Sequence, residues 1–205
     1  MVDTVLNVVL VLVVIVPSIV LHEVAHGWTA LRFGDDTAKR AGRLTLNPVP
    51  HIDPFGTVLL PAILAFTTGS AFGYAKPVPV VPARMRRPRD HGLLTSLAGP
   101  ATNVVLAVLA ALVLRRLTTA TSGWVFDVVL RFGIINAILA AFNMLPIPPL
   151  DGSALVERVL PRRYLPGWRR IRQYSMGILL VLVLLLPQVL GRVFDWAIAL
   201  WARLL

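Results

Sequence analysis

Long apolar runs separated by short polar stretches dominate this chain, and the runs are long enough to be membrane helices. Residues 5–21 (VLNVVLVLVVIVPSIVL) are interrupted only by Asn7, Pro17 and Ser18. The pattern continues through HEVAHGWTALRF to Gly34, a natural C-terminal cap, and predicts one helix over 4–33. At about 1.5 Å per residue, that helix crosses a hydrocarbon core of about 30 Å. No basic residue precedes the run, which argues against a signal peptide. Residues 92–114 and 124–145 predict two further spans, the second with Asn136 and Asn143 inside it. A last apolar pair, 174–187 and 189–205, is hinged at Pro187. Residues 57–72 are apolar but short, and Pro61 and Gly69 break them. Among the polar stretches between these runs, 43–49 (RLTLNPV) alternates like a strand, and 76–82 (KPVPVVP) must be extended because of its prolines. The predicted fold class is an all-α polytopic membrane protein. It has about five to six transmembrane helices, one short re-entrant or interfacial segment and little β structure. Residues 1–155 are expected to form the core domain. Residues 156–205 are expected to form a basic cytoplasmic linker followed by one or two C-terminal membrane helices.

Composition strengthens the membrane reading. The 205 residues are 57% hydrophobic and only 15% charged, whereas a soluble domain is about one quarter charged. So much apolar surface does not fit inside a core of this size, which excludes a soluble monomer. Disordered chains are poor in apolar residues, so disorder is excluded as well. The absence of cysteine rules out a disulfide scaffold, a thiolate metal site and a cysteine nucleophile. The net charge of +10 fits the bias of cytoplasmic loops toward Lys and Arg better than it fits nucleic acid, and no nucleic-acid partner is expected. If 57–72 crosses, six crossings divide the 20 basic residues 12 to 8; if it dips and returns, five crossings divide them 16 to 4. The second arrangement obeys the positive-inside rule better. It places the N-terminus outside and 34–91 and 146–173 in the cytoplasm.

The candidate chemistry sits in the first helix. His22, Glu23 and His26 form the pattern H-E-x-x-H. Positions i and i+4 share a helical face, so two imidazoles can bind one Zn²⁺, with Glu23 beside it to take a proton from a water. Ionisable groups in a membrane helix are costly and usually functional, which weighs against coincidence. A catalytic zinc needs a third protein ligand. Among the remaining acids and histidines, Asp151 stands out. It follows NMLPIPPL at the end of a span, where Pro146, Pro148 and Pro149 forbid a regular helix. Such an unwound stretch can turn a carboxylate back toward a site. His22 and His26 meet Asp151 only if helices 4–33 and 124–145 run the same way. They do so in the five-crossing arrangement and not in the six-crossing one.

HEVAH in a membrane helix, AGPATN at 98–103 and NMLPIPPLDG at 143–152 together resemble the site-2 protease family of intramembrane zinc metalloproteases. The stretches 34–57 and 72–80 resemble its small bacterial branch, without a PDZ-like insertion between 34 and 91. The resemblance implies one zinc held by His22, His26 and Asp151, with Glu23 as general base. It implies that Asn143 helps to hold substrate or the developing oxyanion. Gly99, Pro100 and Asn103 match a motif whose first role is helix packing. The implied activity is hydrolysis of peptide bonds in single-pass transmembrane proteins, at the cytoplasmic side of the cell membrane. A non-proteolytic metal-binding or transport protein is the alternative. It would also use membrane-embedded His and Asp, but would not need Glu23. His51 and Asp53 suit a turn or loop better than the site. The arginines of 158–172, with Trp168 and Tyr174, suit anionic lipid headgroups. One of the segments 43–49 and 76–82 is expected to pair with an extended substrate as an added strand, with a plain connecting loop as the alternative.

Overall fold

The first run forms a single helix, α1 (Val2–Arg32), of 31 residues with Pro17 inside it. The structure, a computed structural model, describes residues 2–68, 73–117 and 123–205. Gly34 ends α1 as the sequence predicts: it adopts φ 108°, and Asp35 N donates back to Ala30 O at 2.9 Å. A single short turn of helix follows, α2 (Thr37–Arg40). The two other predicted core spans appear as α4 (Pro88–Leu114) and α5 (Gly123–Asn143). By length and composition, these two and Val9–Arg32 can cross a membrane. Their outward faces are apolar. Val9, Leu12 and Val13 of α1 and Val104, Val105, Leu109 and Leu112 of α4 are exposed. That is the arrangement expected of a protein solvated by lipid. The chain is thus a multi-pass membrane protein.

Relative directions follow from side-chain bonds. Asn136 of α5 bonds Ser18, while His22 and His26, further along α1, meet Asp151 just beyond α5. Helices α1 and α5 therefore run the same way. Along α4 the order reverses: His22 meets Asn103 and His26 meets Thr95. So α4 runs opposite to both.

The apolar stretch 57–72 does not continue to a far side. A π-helical turn (Pro54–Leu59) leads into α3 (Leu60–Thr68), and the chain then returns to where it left. Tyr74 N donates to Gly56 O at 3.0 Å, and Thr57 Oγ1 donates to Tyr74 O at 2.9 Å. This is the expected dip and return, although 69–72 lie outside the described residues. Asp53 caps its start, accepting from Phe55 N and Gly56 N, which is the turn role the sequence suggests.

Two expectations are corrected. No strand occurs among the described residues, so the alternation of 43–49 does not become one. The side chains of Thr45 and Asn47 take the N–H groups of Asn47 and Val49, and a 3₁₀ turn follows at Val49–His51. Local side-chain bonds replace the ladder a strand would need. The C-terminal pair is also not two full spans. After α6 (Ser153–Val159) and α7 (Leu165–Gln173) come α8 (Ser175–Leu185) and α9 (Pro187–Ala202), bent by 85° at the predicted hinge. With 11 residues, α8 is about 16 Å long, too short to cross alone. The pair makes one broken span or a re-entrant loop. Leu179, Leu182 and Leu190 pack with Leu150, Leu145 and Ile147, so this pair supports the proline-rich loop that ends at Asp151.

Candidate metal centre

His22 and His26 lie on one face of α1, with ring centroids 4.6 Å apart and planes at 84°. Their Nε2 atoms are 3.0 Å apart. Asp151 Oδ2 lies 3.1 Å from His22 Nε2 and 3.3 Å from His26 Nε2. Among the described residues, these three form the one group of potential ligands close enough to hold a metal. The proline-rich loop brings Asp151 there. Gly152 N donates to Asn143 O at 2.7 Å, which folds the loop back onto the end of α5. A Cβ at Gly152 would strike the carbonyls of Met144 and Leu145, so the small residue after Asp151 is a requirement of that fold.

The donor set fits zinc. Bond lengths of about 2.0–2.1 Å in a tetrahedron put neighbouring donor atoms about 3.3 Å apart, close to what is seen. Polarity agrees. His26 Nδ1 lies 2.7 Å from Thr95 O, which can only accept, so Nδ1 carries the hydrogen and Nε2 the lone pair. Asp151 Oδ2 is buried and receives no hydrogen bond. With both imidazoles neutral and hydrogen on Nδ1, three lone pairs converge without a donor, an arrangement that calls for a cation.

The general-base candidate is held from a different direction. Val78 N donates to Glu23 Oε2 at 2.8 Å. Val78 belongs to the proline-rich stretch 76–82, which has no regular secondary structure up to Val81 and enters a 3₁₀ turn at Pro82. That stretch is pinned along its length. Lys76 N donates to His51 O at 2.9 Å, Arg43 Nη2 donates to Lys76 O at 2.6 Å, and Val81 N donates to Asp35 Oδ2 at 2.5 Å. Asp35 is fully buried at the end of α1. Burial alone would raise its pKa. Hydrogen bonds from the Thr37 hydroxyl, Val81 N and Thr37 N outweigh that and hold it below the usual carboxylate value.

The structure places the other sequence-derived residues nearby in different roles. Asn143 Nδ2 donates to Leu139 O of its own helix at 3.0 Å, and its backbone oxygen braces the Asp151 loop. Gly99 packs against the imidazole pair. A Cβ there would lie 2.5 Å from His22 Nε2 and closer still to His26 Nε2. Its place in the motif is therefore set by the site as much as by helix packing. His51 is buried away from the triad, its Nε2 3.0 Å from Thr45 O. Three contributors escaped the sequence reading: Thr95 through its carbonyl, Val78 through its N–H, and Asp35. Only Val78 had a signal, because Pro77 and Pro79 leave it as the sole N–H between Lys76 and Val80.

The chain is similar to known proteins. The family model for peptidase family M50 matches residues 115–186, the part that holds Asn143 and Asp151. The putative zinc metalloprotease YwhC of Bacillus subtilis is 37% identical over 195 residues, covering 90% of this chain and 83% of the relative. The putative zinc metalloprotease Rip2 of Mycolicibacterium smegmatis is 32% identical over 177 residues, 86% of this chain and 66% of its own. The putative zinc metalloprotease MJ0611 of Methanocaldococcus jannaschii is 28% identical over 147 residues, 71% and 68% of the two chains. No solved structure matches the chain. An identity of 37% sustained over most of both chains leaves one assignment: this protein belongs to peptidase family M50, the site-2 proteases, and is a membrane metalloprotease.

Proposed function

We propose that this protein hydrolyses peptide bonds of single-pass transmembrane proteins within the membrane, using one zinc ion held by His22, His26 and Asp151. The observation that carries the reading is the meeting of two imidazole Nε2 atoms and a buried carboxylate oxygen within 3.3 Å, on the helix that also bears Glu23. A zinc ion in that position polarises a carbonyl as a Lewis acid and lowers the pKa of water toward about 7.

Glu23 acts as general base. It accepts a proton from the attacking water and returns it to the amide nitrogen as the C–N bond breaks, leaving a carboxylate and an amine. The Val78 N–H fixes one carboxylate oxygen of Glu23, so the other is free for the water. Asn143 supplies a hydrogen bond to the developing oxyanion. One of its amide hydrogens is engaged by Leu139 O, and the second is available for that purpose. The basic loops support a site toward the cytoplasmic side of the cell membrane, by the bias of cytoplasmic loops toward Lys and Arg, and the arginines of 158–172 suit lipid headgroups there. A substrate helix must unfold locally to expose its peptide bonds, and 76–82 offers it an extended edge.

The test uses purified protein in lipid vesicles with a single-pass membrane substrate. Wild type cleaves and Glu23→Gln does not. Equal cleavage by both overturns the proteolytic assignment. Zinc bound and moved across the vesicle membrane without cleavage supports the metal-binding or transport alternative.

A further inference from the structure

His22 and His26 are supported differently. His26 is oriented directly by a backbone carbonyl, while His22 Nδ1 faces a side-chain amide, Asn103 Oδ1, at 2.5 Å. An amide can present either its oxygen or its nitrogen, so something must choose. We propose that Asn136, anchored on the Phe132 carbonyl and passing its orientation through Asn103, sets which ring nitrogen of His22 carries the hydrogen. Asn136 and Asn103 are then positioning residues for the metal site. The inference rests on the reading of His22, His26 and Asp151 as zinc ligands.

The direction of each bond can be followed from a fixed point. Asn136 Nδ2 donates to Phe132 O at 2.8 Å. A backbone carbonyl only accepts, so that corner of the amide is the nitrogen. The same nitrogen donates to Ser18 Oγ at 2.9 Å, while the Ser18 hydroxyl gives its own hydrogen to Val14 O at 2.8 Å. Asn136 Oδ1 therefore faces Asn103 and accepts from its Nδ2 at 2.8 Å. Asn103 is left presenting oxygen to His22. That oxygen carries no hydrogen, so His22 Nδ1 must, and Nε2 keeps the lone pair that faces His26 and Asp151.

Ser18, Asn103 and Asn136 are each fully buried, in three different helices. Polar side chains at that depth are costly unless every one is bonded, and here each is. Remove Asn136 and the Asn103 amide keeps only its longer contact from Nδ2 to Ser18 O, at 3.5 Å, and can turn. Its NH₂ would then meet Nδ1 and favour the tautomer with hydrogen on Nε2, which cannot ligate from that atom. Partners of this kind typically change metal affinity tenfold to a hundredfold.

The experiment uses the full chain in detergent micelles, metal-free, with ¹⁵N-labelled histidine, at about pH 9, above the ordinary imidazole pKa of about 6.5. His22→Gln assigns the His22 signals. Zinc affinity is measured in parallel by competition with a chelator. In wild type, His22 shows a protonated Nδ1 and an unprotonated Nε2. Asn136→Leu mixes the two tautomers and weakens zinc at least about tenfold. Ser18→Ala leaves both readouts within about threefold, because Phe132 O still orients Asn136. Asn103→Leu weakens zinc, and Asn103→Asp recovers it, because a buried carboxyl that keeps its proton donates to Asn136 Oδ1 and still accepts from Nδ1–H. Hydrogen on Nε2 of His22 in wild type, or an unchanged His22 spectrum and affinity in Asn136→Leu, overturns the proposal. If Asn136→Leu does not fold, the wild-type spectrum and the two Asn103 variants decide. Wild-type protein that shows the expected tautomer but binds no zinc contradicts the metal reading and leaves the relay standing.

Discussion

Helices α4 and α5 hold two regions together by different means. Around the imidazole pair, the contacts are polar and specific: Thr95, Asn103 and Asn136 each direct a named atom. Further along, Ala107, Ala110, Ala111 and Leu114 of α4 pack with Ala137 of α5 and Trp201 of α9, and a single bond from Trp201 Nε1 to Ala107 O fixes the indole. In lipid, apolar surface gains little by contacting other apolar surface, so helices associate through close packing and hydrogen bonds. The alanine-rich region therefore supplies close approach, and a lost contact there is partly refilled by acyl chains. The polar region has no such fallback. A group that loses its partner there remains unpaired in hydrocarbon. Changes near the imidazoles should accordingly alter metal and chemistry, whereas changes near Trp201 should alter stability alone.

The sharpest contrast comes from the ligands. His22→Ala or Asp151→Ala should abolish stoichiometric zinc and all hydrolysis while the protein remains extractable and helical, as read by metal analysis and circular dichroism. Next, Glu23→Gln should keep zinc and lower cleavage by about 10²–10⁴-fold, the range typical of a lost general base. Gly99→Ala should act at a distance of one methyl. Its Cβ would displace both imidazoles, and zinc affinity should fall by about tenfold to a hundredfold, the scale of a disturbed ligand orientation.

Trp201→Ala should leave zinc affinity unchanged and lower unfolding stability by about 2 kcal/mol, less than the 3–5 kcal/mol of water-soluble cores. A matching loss of zinc in Trp201→Ala would erase the distinction between the regions. The smallest effect concerns pH. The Asp35 carboxyl has a folded pKa below its unfolded value. Its stabilising contribution is therefore complete above the unfolded pKa of about 3.9, and is lost as pH falls through the lower folded value. Asp35→Asn should lower stability by a constant amount between about pH 6 and 8 and flatten that acid limb of the stability curve.

Much of this arrangement was legible in the residues because lipid narrows the choices. His22, Glu23 and His26 are conspicuous in an apolar helix, and Asp151 is conspicuous after a run of prolines. The shared direction of α1 and α5 could be reasoned from the need for those groups to meet. Backbone contributions were not legible: the Thr95 carbonyl has no residue signature, and the Val78 N–H is marked only by the prolines around it. The alternation at 43–49 misled because Thr45 and Asn47 are also residues that bond their own backbone, a competition periodicity does not register. Pro187 announced a hinge, but the 85° angle depends on how Leu179, Leu182 and Leu190 seat against the Asp151 loop.

The central claim is most directly tested by X-ray absorption at the zinc edge on purified wild-type protein, paired with metal analysis. The account predicts one zinc per chain, with two imidazole nitrogens and carboxylate or water oxygen at about 2.0–2.1 Å, and loss of that spectrum in Asp151→Ala. Wild-type protein without zinc, or zinc that keeps the same coordination in Asp151→Ala, would contradict it.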